Sequence, residues 1–353
     1  MKIIIDIGHP AHVHYFRNFI SVMKFRGHEF LIVARDKEVT HELLKQYNIP
    51  YFSRGKGSKG LAGKLLYILK ADFIIYKLAR KFKPDLFVSF ASTYAAHVAS
   101  LCRKPHIALD DTEHAKLEIF LYTPFTDTIL SPDCFIGSLG KKQIRIKSFA
   151  EFLYLHRNYY QFNGRLPQGL NLPDKKPFVL LRFIAWTASH DVGQKGIPYE
   201  EKVLLIKELE KRGYEIRISS EGDLPEEFLP YKLQTPSNKI HDVISAASLF
   251  IGESGTMSTE ACILGTPAFF VNSLDAGVFR EEVQRGLLFH LKTGEGAVNY
   301  ILEKIDAPDF LEKHRLAVEK LHAEKIDFTA FLINFCENYP QNRQDISVSQ
   351  TSS

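Results

Sequence analysis

Leu249-Phe250-Ile251-Gly252-Glu253-Ser254-Gly255-Thr256-Met257-Ser258-Thr259-Glu260-Ala261 passes from a short apolar run to a turn of small residues and then to a helical pattern. That pattern closes at Leu264-Gly265, and Thr266-Pro267 leads straight into the apolar run Ala268-Phe269-Phe270-Val271. Strand, helix and strand in that order, with strands apolar throughout, is the unit of a parallel sheet covered on both faces. Its turn lies at the carboxyl end of a strand, where open parallel sheets bind ligands. Small residues at Ser254, Gly255 and Thr256 let a ligand approach the backbone, and the N–H groups and dipole of the helix start favour phosphate oxygens. Glu260, four residues after Thr256, falls on the same helical face one turn deeper, placed to accept hydrogen bonds from ribose hydroxyls. The plainer alternative makes Ser254 an N-cap and Glu260 a solvated helix residue. The glycine, the hydroxyls and the carboxylate together favour the ligand.

The same alternation extends in both directions. Strands are predicted at 177–184, 214–219, 248–252, 267–271 and 287–291, with helices at 199–212, 239–247 and 255–264. The first half repeats it, with strands at 2–7, 29–34, 85–90, 105–109 and 127–131 and helices at 15–26 and 72–82. Turn formers gather between Glu151 and Lys176: Asn163-Gly164, Pro167, Gly169, Pro173 and Asp174. The division expected is a first domain at 1–155, a linker at 156–176, a second domain at 177–337 that includes helices over 309–337, and a disordered polar tail at 338–353. A chain of 353 residues fits two domains, and 45% hydrophobic with 24% charged residues excludes a disordered protein.

The first strand runs into Asp6-Ile7-Gly8-His9-Pro10-Ala11-His12-Val13-His14. Imidazole titrates near neutrality, so His12 is the candidate general base, with Gly8, His9 and His14 as substrate contacts. Alternatively these histidines only cap and pack the first helix. A zinc site lacks a carboxylate or cysteine at a suitable spacing, and no metal or cofactor is expected. After the strand Ile107-Ala108-Leu109 comes Asp110-Asp111-Thr112-Glu113-His114, where Asp111 and Glu113 are catalytic candidates and His114 a substrate contact; the same residues equally suit a helix start. In the second half, Arg182 suits a bidentate phosphate contact. Trp186, His190, Asp191 and Lys195 follow it in a long loop, and Asn238, His241, Asp242, Arg280, Glu281 and Glu282 are weaker candidates.

Charge is modest at +4, but between Arg54 and Lys83 basic residues face a single acid, Asp72, and interleave with apolar ones. This segment predicts either a basic apolar helix against anionic lipid headgroups or a core helix with a solvated basic edge. It contains no nucleic-acid-binding module, and no nucleic acid partner is expected. Cys102, Cys134, Cys262 and Cys336 are too dispersed for a zinc or redox motif and read as reduced. Without a signal peptide or an apolar run of ~18 residues, the expected location is the cytoplasm, with peripheral contact at the inner face of the plasma membrane.

Asp6 with Pro10-Ala11-His12-Val13-His14-Tyr15-Phe16, Asp111-Thr112-Glu113-His114-Ala115, Leu181-Arg182-Phe183, and Gly255-Thr256-Met257 with Glu260-Ala261 and Leu264-Gly265-Thr266-Pro267 resemble a bacterial and archaeal domain-of-unknown-function family described as predicted glycosyltransferases. The resemblance implies two Rossmann-like domains facing across a cleft, the GT-B architecture. That architecture is similar to the lipid-linked N-acetylglucosamine transferase of peptidoglycan synthesis and to the UDP-N-acetylglucosamine 2-epimerases. Both relatives imply that Ser254, Gly255, Thr256 and Glu260 hold the nucleotide-diphosphate part of a donor. The expectation is a metal-independent transfer of sugar from that donor to a lipid or glycan acceptor, in surface polysaccharide or glycolipid synthesis. The alternatives are an epimerase on UDP-N-acetylglucosamine and a non-catalytic nucleotide-sugar-binding protein. Against the epimerase pattern stand Ser254-Gly255-Thr256 where a glycine pair is expected, and Asn272-Ser273-Leu274 where an Arg-Pro-Glu turn is expected.

Overall fold

The computed structural model describes residues 1–58, 60–167, 169–170, 172, 176–184, 196–220 and 222–341. The chain divides into two compact units: Met1–Tyr160 together with the chain from Lys325 onward, and Gln161–Glu324.

The first unit holds β1 (Lys2–Ile7), α1 (Pro10–Phe25), β2 (Glu29–Ala34), α2 (Thr40–Gln46), β3 (Phe52–Ser53), α3 (Leu61–Phe82), β4 (Leu86–Phe90), α4 (Thr93–Cys102), β5 (His106–Leu109), α5 (Lys116–Tyr122), β6 (Thr128–Pro132), β7 (Gln143–Ile146) and α6 (Phe152–Leu155). Its strands form one sheet in the order β3-β2-β1-β4-β5-β6-β7, every pair parallel. Ile3, Ile4 and Ile5 are all fully buried, as a strand covered on both faces requires. The chain leaves β1 towards β2 on one side and reaches β4 on the other, so the switch point lies between the carboxyl ends of β1 and β4.

The second unit holds β8 (Phe178–Phe183), α7 (Tyr199–Lys211), β9 (Glu215–Ser220), α8 (Ile240–Ala246), β10 (Leu249–Gly252), α9 (Gly255–Leu264), β11 (Ala268–Val271), α10 (Gly277–Gln284), β12 (Leu288–Leu291), α11 (Ala297–Ile305) and α12 (Phe310–Glu324). Its sheet runs β12-β11-β10-β8-β9, again parallel throughout. The switch point falls between β8 and β10. Leu181, Ile251, Phe269 and Val271 belong to the core beneath it, with Leu205 and Ile301 from the covering helices.

The last helix, α13 (Phe328–Glu337), corrects the expected boundary, because it docks on the first unit rather than the second. Thr329 Oγ1 donates to the carbonyl of Leu153 at 2.6 Å, Ser148 Oγ donates to that of Ile326 at 2.9 Å, and Arg26 pairs with Glu337 at 2.7 Å. The expected helix at 15–26 begins earlier, at Pro10, with His9 as its N-cap. The expected helix at 72–82 starts at Leu61, since apolar residues already recur at helical spacing in the basic stretch. The short edge strand β7, Gln143-Ile144-Arg145-Ile146, was not among the expected strands, because its two apolar residues fall short of the continuous apolar run that marks its neighbours. All four cysteines are free.

Candidate functional site

In the second unit the carboxyl ends of β8 and β10 lie side by side, with Arg182 opposite Gly252. A Cβ on Gly252 would come within 2.8 Å of that of Arg182, so glycine permits the close approach. Gly255, the first residue of α9, is equally constrained: a Cβ there would meet Phe279 Cζ at 2.5 Å. Ser254 occupies the N-cap in extended conformation, and among the described residues no side-chain cap hydrogen bond is made there. The hydroxyls of this turn therefore do not occupy the first-turn N–H groups, which remain at the positive end of the dipole. The Arg182 side chain donates from Nη1 to Ser219 Oγ at 2.9 Å, on β9, the other neighbour of β8.

Below this turn sits Glu253, buried and unassigned by the sequence reading. One oxygen accepts the Ile184 N–H at 2.8 Å; the other accepts the Ile197 N–H at 2.9 Å and lies 3.0 Å from Lys202 Nζ. One carboxylate thus binds the chain at both Ile184 and Ile197. Lys202 is buried too, which lowers its pKa, and its ammonium lies 4.6 Å from the Phe183 ring centroid. Asn272 at the end of β11 donates to the Glu253 carbonyl at 3.1 Å, and its own carbonyl lies 2.8 Å from His290 Nε2. Trp186, His190, Asp191 and Lys195 lie outside the described residues.

Glu260 lies one turn into α9, but it is buried rather than solvated, with Oε1 at 3.1 Å from His241 Nε2 on α8. The structure brings together Arg182, Ser254, Gly255 and Thr256 at the switch point, with Glu260 and His241 behind them. The weaker candidates serve local pairs: Asp242 with Lys239, Arg280 with Asp275, and Glu281 with Arg285, while Glu282 accepts the Thr259 hydroxyl.

In the first unit the β1–α1 turn is already occupied by its own side chains. His9 Nδ1 accepts the Ala11 N–H and His12 Nδ1 accepts the Gly8 N–H, each at 3.3 Å. A neutral imidazole with Nδ1 accepting carries its proton on Nε2. Burial, with the charges of Lys37 and Arg35, lowers the His9 pKa to about 4. Burial, with His9, Lys37 and Arg54, holds His12 well below its ordinary value, although each ring keeps part of its surface open to solvent. With Nδ1 accepting the Gly8 N–H, the neutral His12 ring has its proton on Nε2. His14, expected as a substrate contact, is instead buried, with its ring tilted against Tyr154 at 5.5 Å and edge-on to Tyr47.

Under the turn lies a pair the sequence placed elsewhere. Arg54, expected in a basic surface segment, is buried against Asp6 with Nε–Oδ1 at 2.8 Å and Nη2–Oδ2 at 3.2 Å. Ser92, the N-cap of α4, donates to the same carboxylate at 2.6 Å, so the strands flanking the switch point are tied through one aspartate. Tyr94 and Tyr67 enclose the guanidinium, with ring centroids at 4.4 and 5.6 Å.

At the end of β5, Asp110 is buried and accepts the Tyr122 hydroxyl at 2.6 Å and the Thr112 N–H at 2.9 Å. Burial raises its pKa. Asp111 is pushed up to about 7 by desolvation first and by the neighbouring Asp110 second. Glu113 accepts the Ile136 N–H at 3.0 Å and holds a loop, while His114 is exposed. Among the expected residues of this unit, Asp111 therefore carries a carboxyl group poised near neutrality.

Two parallel doubly-wound sheets, each with a switch point at its carboxyl edge, define a protein of the two-Rossmann-domain GT-B class. The chain belongs to the family described as "Protein of unknown function (DUF354)", whose model matches residues 1–322. An uncharacterized protein of Methanocaldococcus jannaschii is 24% identical over 314 residues, covering 85% of this chain and 91% of that one. Among solved structures, the chain is similar to Staphylococcus aureus MnaA in a co-structure with UDP, with a TM-score of 0.73, 13% identity and 97% of both chains covered. The UDP-GlcNAc 2-epimerase of Neisseria meningitidis bound to UDP-GlcNAc follows at 0.70, with 14% identity and 94% and 98% coverage. The Streptomyces sp. SF2575 glycosyltransferase SsfS6 gives 0.61, with 16% identity and 94% and 99% coverage.

Proposed function

We propose that this protein is an enzyme acting on a nucleotide-diphosphate sugar, which it binds at the carboxyl edge of the second sheet, and that it transfers the sugar to an acceptor hydroxyl. The observation that carries this reading is the α9 N-terminus at the switch point, whose N-cap Ser254 makes no side-chain cap hydrogen bond among the described residues, with Arg182 opposite Gly252 on the neighbouring strand. Backbone N–H groups and a guanidinium stabilise a departing diphosphate without a divalent ion. Glu260, oriented by His241, accepts hydrogen bonds from the ribose. In the transfer, the acceptor oxygen forms the new bond to the anomeric carbon, the bond to the diphosphate oxygen breaks, and the nucleoside diphosphate leaves with the electron pair. On the first unit, Asp111, with its pKa near 7, takes the acceptor proton.

Thermal shift of the purified protein against UDP, GDP, CDP and dTDP and their sugars tests the donor reading, because a ligand bound only by the folded state raises its apparent stability. A selective shift that is lost in Arg182→Ala supports it; no shift with any of them removes it. A second reading is an epimerase on UDP-N-acetylglucosamine, favoured by the TM-score of 0.70 to the Neisseria meningitidis epimerase against 0.61 to the glycosyltransferase SsfS6. Incubation with UDP-N-acetylglucosamine alone separates the two, since epimer formed without acceptor rules out obligatory transfer.

A further inference from the structure

We propose that the outer face of α3 docks on the surface of a lipid bilayer carrying anionic headgroups. The face is apolar where solvent meets it: Leu65, Leu66, Leu69 and Phe73 are 62%, 67%, 63% and 67% exposed. Leu65, Leu69 and Phe73 follow one another at four-residue spacing and form a single stripe, while Tyr67, Ala71, Ile75 and Ala79 of the same helix are buried. A cluster of large exposed apolar side chains marks an interaction surface.

Charge decides the occupant. Lys64, Lys70, Lys77, Arg80 and Lys81 border the stripe, all exposed and none ion-paired with a described residue. The single acid of the helix, Asp72, is engaged by His97 of α4 at 2.9 Å. A second copy of this chain docking face to face would oppose like charges, whereas anionic headgroups complement them and the apolar side chains enter the acyl boundary. No helix among the described residues is long and apolar enough to cross a membrane, so contact is peripheral.

Topology gives the surface its use. Tyr67, on the inner side of the apolar half of α3, accepts from Arg54 Nη1 at 2.5 Å, and Arg54 holds Asp6 at the carboxyl end of β1. The apolar half of α3 therefore lies beside the edge that carries His12. Helix α5 descends from the same edge after Asp111 and exposes Leu117 and Phe120 at 57% and 71%. A hydroxyl-bearing molecule held in the bilayer interface would thus be offered to the carboxyl edge of the first sheet. The inference stands apart from the donor reading, since a chain that binds no nucleotide would still bind vesicles.

The test is flotation of the full chain with phosphatidylcholine vesicles, alone or with about 30% phosphatidylglycerol to supply the negative surface potential. The protein should float with the anionic vesicles, not with phosphatidylcholine alone. Leu69→Ser with Phe73→Ser should abolish flotation. Lys70→Gln with Lys77→Gln should weaken it about 25-fold, from roughly fivefold per surface cation. Leu311→Ser, 65% exposed on the second unit, should leave it unchanged. Because these side chains are exposed, the variants keep the fold, which circular dichroism verifies. The proposal is overturned if wild-type protein does not float with anionic vesicles or the α3 variants float as well as wild type. It is also overturned if light scattering finds a dimer that the Leu69 and Phe73 changes dissociate.

Discussion

Replacing Asp111 by asparagine should stabilise the protein above neutral pH while removing its catalysis. The Asp111 carboxyl has a pKa of about 7 in the fold against 3.8 for the free group, because burial and Asp110 both oppose its charge. Its protonated form is held by the folded state, so this contribution is fully present below pH 3.8 and is lost as pH rises through 7. At 1.36 kcal/mol per unit, a shift of about three units amounts to about 4 kcal/mol if Asp111 acted alone. It does not act alone. Asp110 is raised too and interacts with it, so the pair shares the penalty, and part of the Asp111 surface meets solvent. Removing one charge should recover about 1–2 kcal/mol, or a Tm gain of roughly 2–8 °C for a unit of this size. Urea melts at pH 5 and pH 8.5 would measure it, and the expected difference between Asp111→Asn and wild type at the lower pH is roughly a third of that at the higher, since the loss runs from pH 3.8 to about 7. Equal or lower stability of the variant at pH 8.5, or a difference that ignores pH, would refute the assignment. Activity should fall with the substitution at every pH, because asparagine cannot take up the acceptor proton.

Glu253→Gln leaves the Lys202 ammonium buried without its counter-charge and should cost about 3–5 kcal/mol, read by urea denaturation; adding Lys202→Met should restore a large part. Gly255→Ala drives a methyl into the Phe279 ring and should cost about 1–3 kcal/mol, with recovery in a Gly255→Ala, Phe279→Leu double variant; no loss in the single variant would show that the ring yields freely. Glu260→Ala should lower nucleotide affinity in a binding titration and also destabilise by about 1–3 kcal/mol, since it unpairs buried His241. If affinity is unchanged, Glu260 has no ribose role.

Much of the fold was legible because parallel strands buried on both faces advertise themselves as apolar runs. The spans 29–34 and 255–264 are those of β2 and α9. The Ser254-Gly255-Thr256 turn was readable for the same reason, since its position after a strand is a local signal. Arg54 was not: a basic residue between Ser53 and a run of glycines and lysines looks solvated, and only Asp6, 48 residues away, explains its burial. His14 shows the converse. At helical spacing from Pro10 it falls on the inner face of α1, but its imidazole suggested chemistry more strongly than its position suggested packing. Glu253 was hidden because its partners lie at 184, 197 and 202, positions that no spacing rule connects. Helix α13 was recognisable as a helix, yet periodicity says nothing about which core receives its apolar face.

That last helix fixes the order in which the molecule can be completed during synthesis. The second unit, Gln161–Glu324, is contiguous, so all of its strands have been made before the closing pieces of the first unit exist. The first unit waits for Thr329 to reach Leu153 and for Ile326 to reach Lys147 and Ser148. At translation rates of 5–20 residues per second, the about 160 intervening residues take roughly 10–30 s. Through that interval the surfaces of α1 and α6 that α13 will cover are exposed on the nascent chain, and the unit that begins first is the last to be sealed.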